Sequence, residues 1–208
     1  MALEIADWFP GLDANDLHGF VPLHQQVRFV RHVFDQARET IGLELGASMP
    51  FDGLGFWGFL LRSSPTFGDM LGRAERYIRI VNKYAEFFLE TRSGHVAQVC
   101  AHPDPSPFGP REQVVQCFLS HWLAWGRQLT GREIAPVSAN FAWAGPRDLA
   151  PFAEFYRCPL QFGAEEDALY FDRETLLIPF PDSSRQLSED FEAHAKIPRI
   201  ANCVTTCW

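Results

Sequence analysis

One amphipathic segment constrains the fold of this 208-residue chain more than any other stretch. After residues 63–66, apolar side chains recur at the three- and four-residue spacing of a single helix face as far as Tyr84. Its start is signalled either by Thr66 as the cap with Asp69 three residues on, or by Ser64 as the cap with Pro65 at the first helical position. The predicted buried face consists of Phe67, Met70, Leu71, Ala74, Tyr77, Ile78, Val81 and Tyr84.

The basic residues of this segment fall largely on the opposite side of the predicted helix. They are Arg73, Arg76, Arg79 and Lys83. An aromatic run with several glycines precedes the helix at residues 53–61 and ends at Arg62. Residues 53–58 match G-x-G-x-x-G, but we expect no long strand before them and no helix opening directly behind them. The glycines are therefore interpreted as packing positions and not as a phosphate-binding loop.

The remaining pattern predicts an α+β domain. Two further long helices are expected at residues 22–41, stopped by Gly42, and at 111–130, stopped by Gly131. Predicted strands lie at 86–91, 95–100, 136–143, 160–162 and 168–171, and shorter helices at 147–156, 172–177 and 183–194. We thus expect a single domain in which a mostly antiparallel sheet of about five strands packs with three long helices. The alternative is a cupin-like jelly-roll barrel, which the three long helices disfavour.

Charge and segment composition exclude several functions. The formal net charge of −8 argues against nucleic-acid binding by these residues, because phosphate contacts need a basic face. No apolar run reaches membrane-spanning length, and the first residues do not resemble a signal peptide, so we expect a cytoplasmic protein. Five cysteines without C-x-x-C spacing fit a reducing compartment, and Cys203 and Cys207 are assigned no role.

No pattern of catalytic or metal-binding residues is present. Cys117 and His121 lie one helical turn apart, but two ligands do not make a metal site. The chain lacks G-x-S-x-G, and the acidic residues 165–167 are typical of a solvated turn. We therefore predict no enzyme activity, no metal and no cofactor.

An ordered set of motifs runs along the chain from about residue 20 to residue 195. Its segments are Gly42 to Gly46, Gly55 to Phe59, Ser63 to Leu71, Arg76-Tyr77, Arg127 to Gly131 with Pro136 and Val137, Cys158 to Gly163, Leu169 to Asp172 and Leu177 to Pro181. This set resembles the N-terminal effector domain of AraC-type transcriptional regulators of the ornithine-utilisation regulator type, often called an arabinose-binding-like domain. Two positions depart from the pattern: Tyr156-Arg157 replaces a Phe-Gly pair, and Trp143 stands where a histidine is common.

The resemblance implies the domain organisation and the function. Residues 1–20 would form an N-terminal arm, 21–195 an effector-binding and dimerisation domain, and 196–208 an irregular tail. Such regulators continue into a helix-turn-helix module, and the 13 residues after 195 are too short for one. DNA binding is therefore expected of the parent protein only. We expect a homodimer without membrane contact that senses a small metabolite, an anion being one option, and signals through the helix at 183–194.

The candidate effector site follows from residue type and position. Aromatic side chains are expected to line it, with Arg62 or Arg76 as the anchor for an anionic group. The full candidate set is Phe56, Trp57, Phe59, Arg62, Arg76, Tyr77, Trp122 and Trp143.

Two other functions stay open on the sequence. One is a small hydrolase or isomerase that uses His102 or His121 in an aromatic pocket. The other is a protein-interaction module that binds no small ligand. The effector itself cannot be named, because amino acids, fatty acids, sugars and aromatic acids all suit an apolar pocket with one arginine.

Overall fold

The computed structural model describes residues 23–35, 38–51, 55–81, 86–101 and 107–181. The predicted arm at 1–20, the helix at 183–194 and the tail at 196–208 lie outside these ranges. In chain order the elements are α1 (Leu23–Asp35), α2 (Ile41–Ser48), α3 (Gly55–Arg62), α4 (Phe67–Val81), β1 (Glu86–Arg92), β2 (His95–Ala101), α5 (Arg111–Thr130), β3 (Ser138–Phe141), α6 (Ala150–Tyr156), β4 (Leu160–Phe162), β5 (Asp167–Phe171) and α7 (Arg173–Leu176).

The five strands form one open sheet in the order β1-β2-β5-β3-β4. The pairs β1–β2, β2–β5 and β3–β5 are antiparallel, and β3–β4 is parallel. The predicted α+β class is thereby confirmed, and the jelly-roll alternative is wrong because this sheet does not close into a barrel. The β1–β2 hairpin turns at Ser93 and Gly94, whose φ angles of 50° and 84° suit a tight turn between right-twisted strands.

The long helix α5 packs against one face of this sheet, which we call the inner face. Fourteen of its 20 residues are buried, so the helix is covered nearly all round. Its predicted bounds are confirmed, and Gly131 ends it with a φ of 64°. The inner face carries alternate strand residues, and Leu89, Gln98 and Leu169 lie side by side across β1, β2 and β5.

Helix α2 approaches α5 through two glycines. A Cβ atom at Gly42 would lie 2.2 Å from the Gln113 carbonyl oxygen, and one at Gly46 would lie 2.3 Å from the Cys117 carbonyl oxygen. Side chains of α5 also accept hydrogen bonds from α2: Gln113 from the Gly42 amide at 2.8 Å, and Gln116 from the Leu43 amide at 3.3 Å. These two amides belong to the first turn of α2, where no intrahelical partner exists.

The predicted single helix at 22–41 is wrong in its second half. The chain forms α1 to Asp35 and a new helix, α2, from Ile41, so that Gly42 lies inside a helix and does not stop one. The physical reason is the contact just described: glycine serves here for close approach to α5, and not for a positive φ. The two glycines at positions 42 and 46 are therefore explained by the close contact between α2 and α5.

Helix α4 begins as one of the two predicted alternatives requires. The Thr66 hydroxyl oxygen accepts a hydrogen bond from the Asp69 amide at 3.1 Å and donates to the Asp69 carboxylate at 2.7 Å. The apolar face is buried as predicted from Phe67 to Ile78, while Val81 and Tyr84 fall outside the described side chains. Thr66, and not Ser64, is thus the capping residue.

Arg73 corrects the prediction for the other face of α4. Its side chain is buried, with 7% exposed, whereas Arg76 and Arg79 are exposed as expected. One guanidinium nitrogen donates to the Leu60 carbonyl at 3.0 Å, to the Ser63 hydroxyl at 2.8 Å and to the Ser64 hydroxyl at 3.3 Å. The serine pair therefore holds the end of α3 against α4.

A helix does form in the glycine-containing run before α4, contrary to the expectation stated for it. Helix α3 begins at Gly55 and includes Gly58, which is buried. Trp57 and Leu61 point into the core, and Phe59 is 47% exposed. The interpretation of Gly58 as a packing position agrees with this burial.

Arg127 joins the end of α5 to the segments that follow it. Its side chain donates to the carbonyl oxygens of Ile134 and Phe155, both at 2.8 Å, and its guanidinium carbon lies 4.9 Å from the centre of the Phe155 ring. Burial lowers the pKa of this guanidinium. Thr130 donates to the Gly126 carbonyl at 2.7 Å. The residues of the Arg-x-x-Thr-Gly motif thus stabilise the C-terminal end of α5.

Candidate functional site

Aromatic rings lie between α5 and the inner face of the sheet. The Trp122 ring centre lies 5.1 Å from Phe87 on β1, 4.7 Å from His121 and 5.2 Å from Trp125. Phe118 adds a further ring 6.0 Å from Trp122. We call these five residues the aromatic layer. Each is buried because α5 supplies four of them on the side that meets the sheet.

A second aromatic group lies where β3 and β4 meet α6. The Phe141 ring centre lies 4.6 Å from Trp143, 5.4 Å from Tyr156 and 5.0 Å from Phe162. Phe152 completes the group at 6.1 Å from Phe141. It belongs to the same hydrophobic core as the aromatic layer. One continuous apolar region thus runs below the sheet from β1 to β4.

Gln98 is the most unusual residue in this region. It lies on the inner face of β2 between Leu89 and Leu169, and its side chain is 0% exposed. Neither atom of its amide has a hydrogen-bond partner within the described part of the chain. An unpartnered buried polar group lowers the free energy of unfolding by about 1 to 3 kcal/mol. Gln98 therefore destabilises the fold unless another molecule forms hydrogen bonds with its amide.

Trp122 and Tyr156 also carry buried polar atoms. The indole nitrogen of Trp122 and the hydroxyl oxygen of Tyr156 are without a hydrogen-bond partner among the described residues, and both side chains are 0% exposed. Burial raises the pKa of the Tyr156 hydroxyl well above its ordinary value, with the neighbouring Cys158, Cys117 and Cys100 adding to the effect. We call Gln98, Trp122 and Tyr156 the polar triad.

The polar triad faces the apolar region from three elements. Gln98 is two residues from Cys100, which pairs with Phe87, and Phe87 contacts the Trp122 ring. Tyr156 reaches the same region from α6 through its contact with Phe141. The arrangement can hold a small molecule by apolar contact while offering it neutral hydrogen-bonding groups.

The structure brings three of the predicted site residues into this core. Trp57, Tyr77 and Trp122 are 2%, 7% and 0% exposed and belong to one hydrophobic cluster. Trp143 is half-buried and belongs to the second aromatic group. Phe56 lies in α3, but its side chain is outside the described set.

The other predicted residues lie at the surface. Arg62 and Arg76 are exposed, and Phe59 is 47% exposed. The Arg76 guanidinium lies over the Tyr77 ring, 5.7 Å from its centre. Their role in holding a ligand stays a prediction.

Sequence reasoning missed Gln98 and Tyr156. The signal for Gln98 was a polar residue inside the run Val96-Ala97-Gln98-Val99-Cys100, on the same side as Val96 and Cys100. In an alternating strand that position would be taken as the solvent side. Here both sides of β2 are buried, because Ala97 and Val99 are covered as well.

Two other kinds of site are absent from the described ranges. These residues contain no group of three or more histidine, cysteine, aspartate or glutamate side chains placed to hold a metal ion. No helix among them is both long enough and apolar enough to cross a membrane.

Comparisons with known proteins agree with one another. The family model for the N-terminal arabinose-binding domain of AraC transcription regulators matches residues 10–180. A crystal structure of the transcriptional regulator CdpR from Pseudomonas aeruginosa is similar in fold, with a TM-score of 0.65 and 18% sequence identity. The similarity covers 87% of this chain and 57% of that one, so the chain spans little more than half the length of that regulator. No curated protein matches the sequence.

Proposed function

The chain belongs to the arabinose-binding domain family of AraC transcription regulators, and from that premise we propose that it senses a small molecule held between α5 and the sheet. The observation that carries the proposal is the polar triad, three fully buried polar side chains in an aromatic region that have no hydrogen-bond partner among the described residues. Of the predicted residues, Trp57, Tyr77 and Trp122 would line the site, with Trp143 at its far end.

The proposal includes the finer properties expected of a regulator. The domain forms a homodimer in the cytoplasm, and ligand binding biases two arrangements of it. A DNA-binding module of the parent protein then responds to which of the two arrangements is populated. The histidine-based enzyme has no specific observation in its favour: the Nδ1 atom of His121 lies 3.1 Å from the Cys117 carbonyl oxygen, and His102 lies outside the described residues.

A thermal-shift screen tests whether the domain binds a small molecule. The purified protein is screened with amino acids, fatty acids, sugars and aromatic acids, and native mass spectrometry confirms each hit. We expect at least one compound to bind, and a ligand at 100 times its Kd adds about 2.7 kcal/mol to the free energy of unfolding. For a domain of this size, that corresponds to a rise in Tm of roughly 5 to 11 °C.

A matched pair of tryptophan variants locates the site. Trp122→Phe removes an indole N–H that has no hydrogen-bond partner among the described residues, and we expect it to weaken ligand binding about tenfold, the equivalent of 1.4 kcal/mol. Trp125→Phe removes an indole N–H that already donates to the Met49 carbonyl at 3.0 Å, so it should lower stability and weaken ligand binding much less than Trp122→Phe does. Failure of every compound to bind would contradict the proposed function. If the two variants bound the ligand with equal affinity, the ligand would not contact the Trp122 indole, and the site would lie elsewhere.

A further inference from the structure

We infer that the ligand of this site is uncharged, and that it is recognised by hydrogen bonds to Gln98, Trp122 and Tyr156. This inference rests on the proposed function and names the chemical class of the molecule bound. It replaces the anionic option suggested by the exposed arginines with a neutral amide, carbonyl or hydroxyl compound on an apolar body.

The hydrogen-bonding groups of the polar triad are all neutral. The Gln98 amide offers two donor hydrogens and a carbonyl acceptor, the Trp122 indole offers one donor, and the Tyr156 hydroxyl offers one donor and one acceptor. A carboxylate or phosphate accepts only, and it would leave the Gln98 carbonyl without a donor. An amide or hydroxyl group both donates and accepts, so it can donate to the Gln98 carbonyl while accepting from donors of the polar triad.

The buried charges of the described residues are already paired. Arg73 and Asp167 are the buried charged side chains in this part of the chain. Arg73 donates to Leu60, Ser63 and Ser64, and the Asp167 carboxylate accepts from Arg111 at 2.5 Å and from the Ala142 amide at 2.7 Å. An anion in the aromatic region would thus lose its hydration without gaining a counter-charge from these groups.

Arg127 and His121 do not supply a counter-charge for an anion in the aromatic region either. The guanidinium of Arg127 is directed at the carbonyl oxygens of Ile134 and Phe155, at the end of α5. The buried His121 ring approaches the Cys117 carbonyl through Nδ1. A second proton on that ring would place a charge among Phe118, Trp122 and Trp125, whose rings surround it.

Pairs of compounds that differ only in charge test the inference. Isothermal titration is carried out with indole-3-acetamide and indole-3-acetate, benzamide and benzoate, and octanamide and octanoate. We expect that, in every pair that binds, the amide binds at least tenfold more tightly than the acid. Equal or tighter binding of the acid would overturn the inference.

Two glutamine variants on the same sheet identify the recognising group. Gln98→Leu is expected to abolish the preference for the amide and to raise Tm in the absence of ligand, because it removes an unpartnered amide. Gln161→Leu, on exposed β4, should change neither. A raised Tm with an unchanged preference would show that Gln98 meets only internal water, and the inference would fall. If Gln98→Leu does not fold, Tyr156→Phe removes a single buried oxygen and is read in the same way.

The outcomes separate this inference from the proposed function. If only anionic compounds bind, either in these pairs or in the metabolite screen, the domain is a sensor but its ligand is charged, and the inference is wrong. If no compound binds in either experiment, the sensing function itself is contradicted. Binding of neutral compounds with loss of preference in Gln98→Leu supports both.

Discussion

Replacing Gly46 with alanine is expected to lower the free energy of unfolding by about 3 kcal/mol, the upper part of the range for overpacked interiors. The added Cβ atom would lie 2.3 Å from the carbonyl oxygen of Cys117 and 2.0 Å from the Ser120 hydroxyl oxygen. The hydroxyl can rotate away, but the carbonyl belongs to the backbone of α5. Helix α2 must therefore move, and its hydrogen bonds to Gln113 and Gln116 would lengthen. Thermal unfolding followed by circular dichroism should show a fall in Tm of roughly 6 to 12 °C.

Gly72 provides a matched control for this change. It also lies inside a helix, α4, but a Cβ atom there would meet no atom of another described element within 4 Å. Alanine is a better helix former than glycine by about 1 kcal/mol, so Gly72→Ala should raise Tm by roughly 2 to 4 °C. Opposite signs for the two glycine variants are the expected result. Stabilisation by Gly46→Ala would show that α2 does not lie against α5 as closely as described.

Replacing Arg73 with methionine is expected to cost about 3 kcal/mol. Methionine fills much of the same volume but removes the donor for the Ser63 and Ser64 hydroxyls, which are 7% and 0% exposed. Each buried group that loses its partner contributes about 1 to 3 kcal/mol. Chemical denaturation should therefore show a clear fall in the midpoint with an unchanged slope.

Arg79 on the same helix is the comparison for Arg73. Its side chain is 69% exposed and lies 3.4 Å from the Glu86 carboxylate. Exposed ion pairs contribute about 0 to 1 kcal/mol, so Arg79→Met should have little effect. If Arg73→Met instead raised stability, the desolvation of its guanidinium would outweigh the three hydrogen bonds that it donates.

The long elements could be predicted from the sequence because each has a periodic apolar face and a recognisable end. Helix α5 follows its apolar spacing up to Gly131, and α4 begins at the Thr66–Asp69 cap. The β1–β2 hairpin is confirmed for the same reason, with its turn at Ser93-Gly94. These signals are local, so a single sequence carries them.

Other features depend on which neighbour covers a residue, and a single sequence does not carry that information. Arg73 lies at the border of the apolar face of α4, and the end of α3 covers it. Gly42 looks like a helix stop, but its contact partner, Gln113, is 71 residues away. The alternation in β2 places Gln98 opposite Ala97 and Val99, and both faces of that strand are buried. The family resemblance identified the kind of domain, while the polar triad emerged only with the fold.

The strand order of the sheet has a consequence for synthesis of the protein. The central strand, β5, is the last of the five described strands along the chain and lies between β2 and β3, both of which leave the ribosome earlier. Until residue 171 has emerged, the edges of β2 and β3 that pair with β5 remain unpaired. Nascent chains that stop before β5 thus expose strand edges and apolar surface, and are targets for chaperones or proteases.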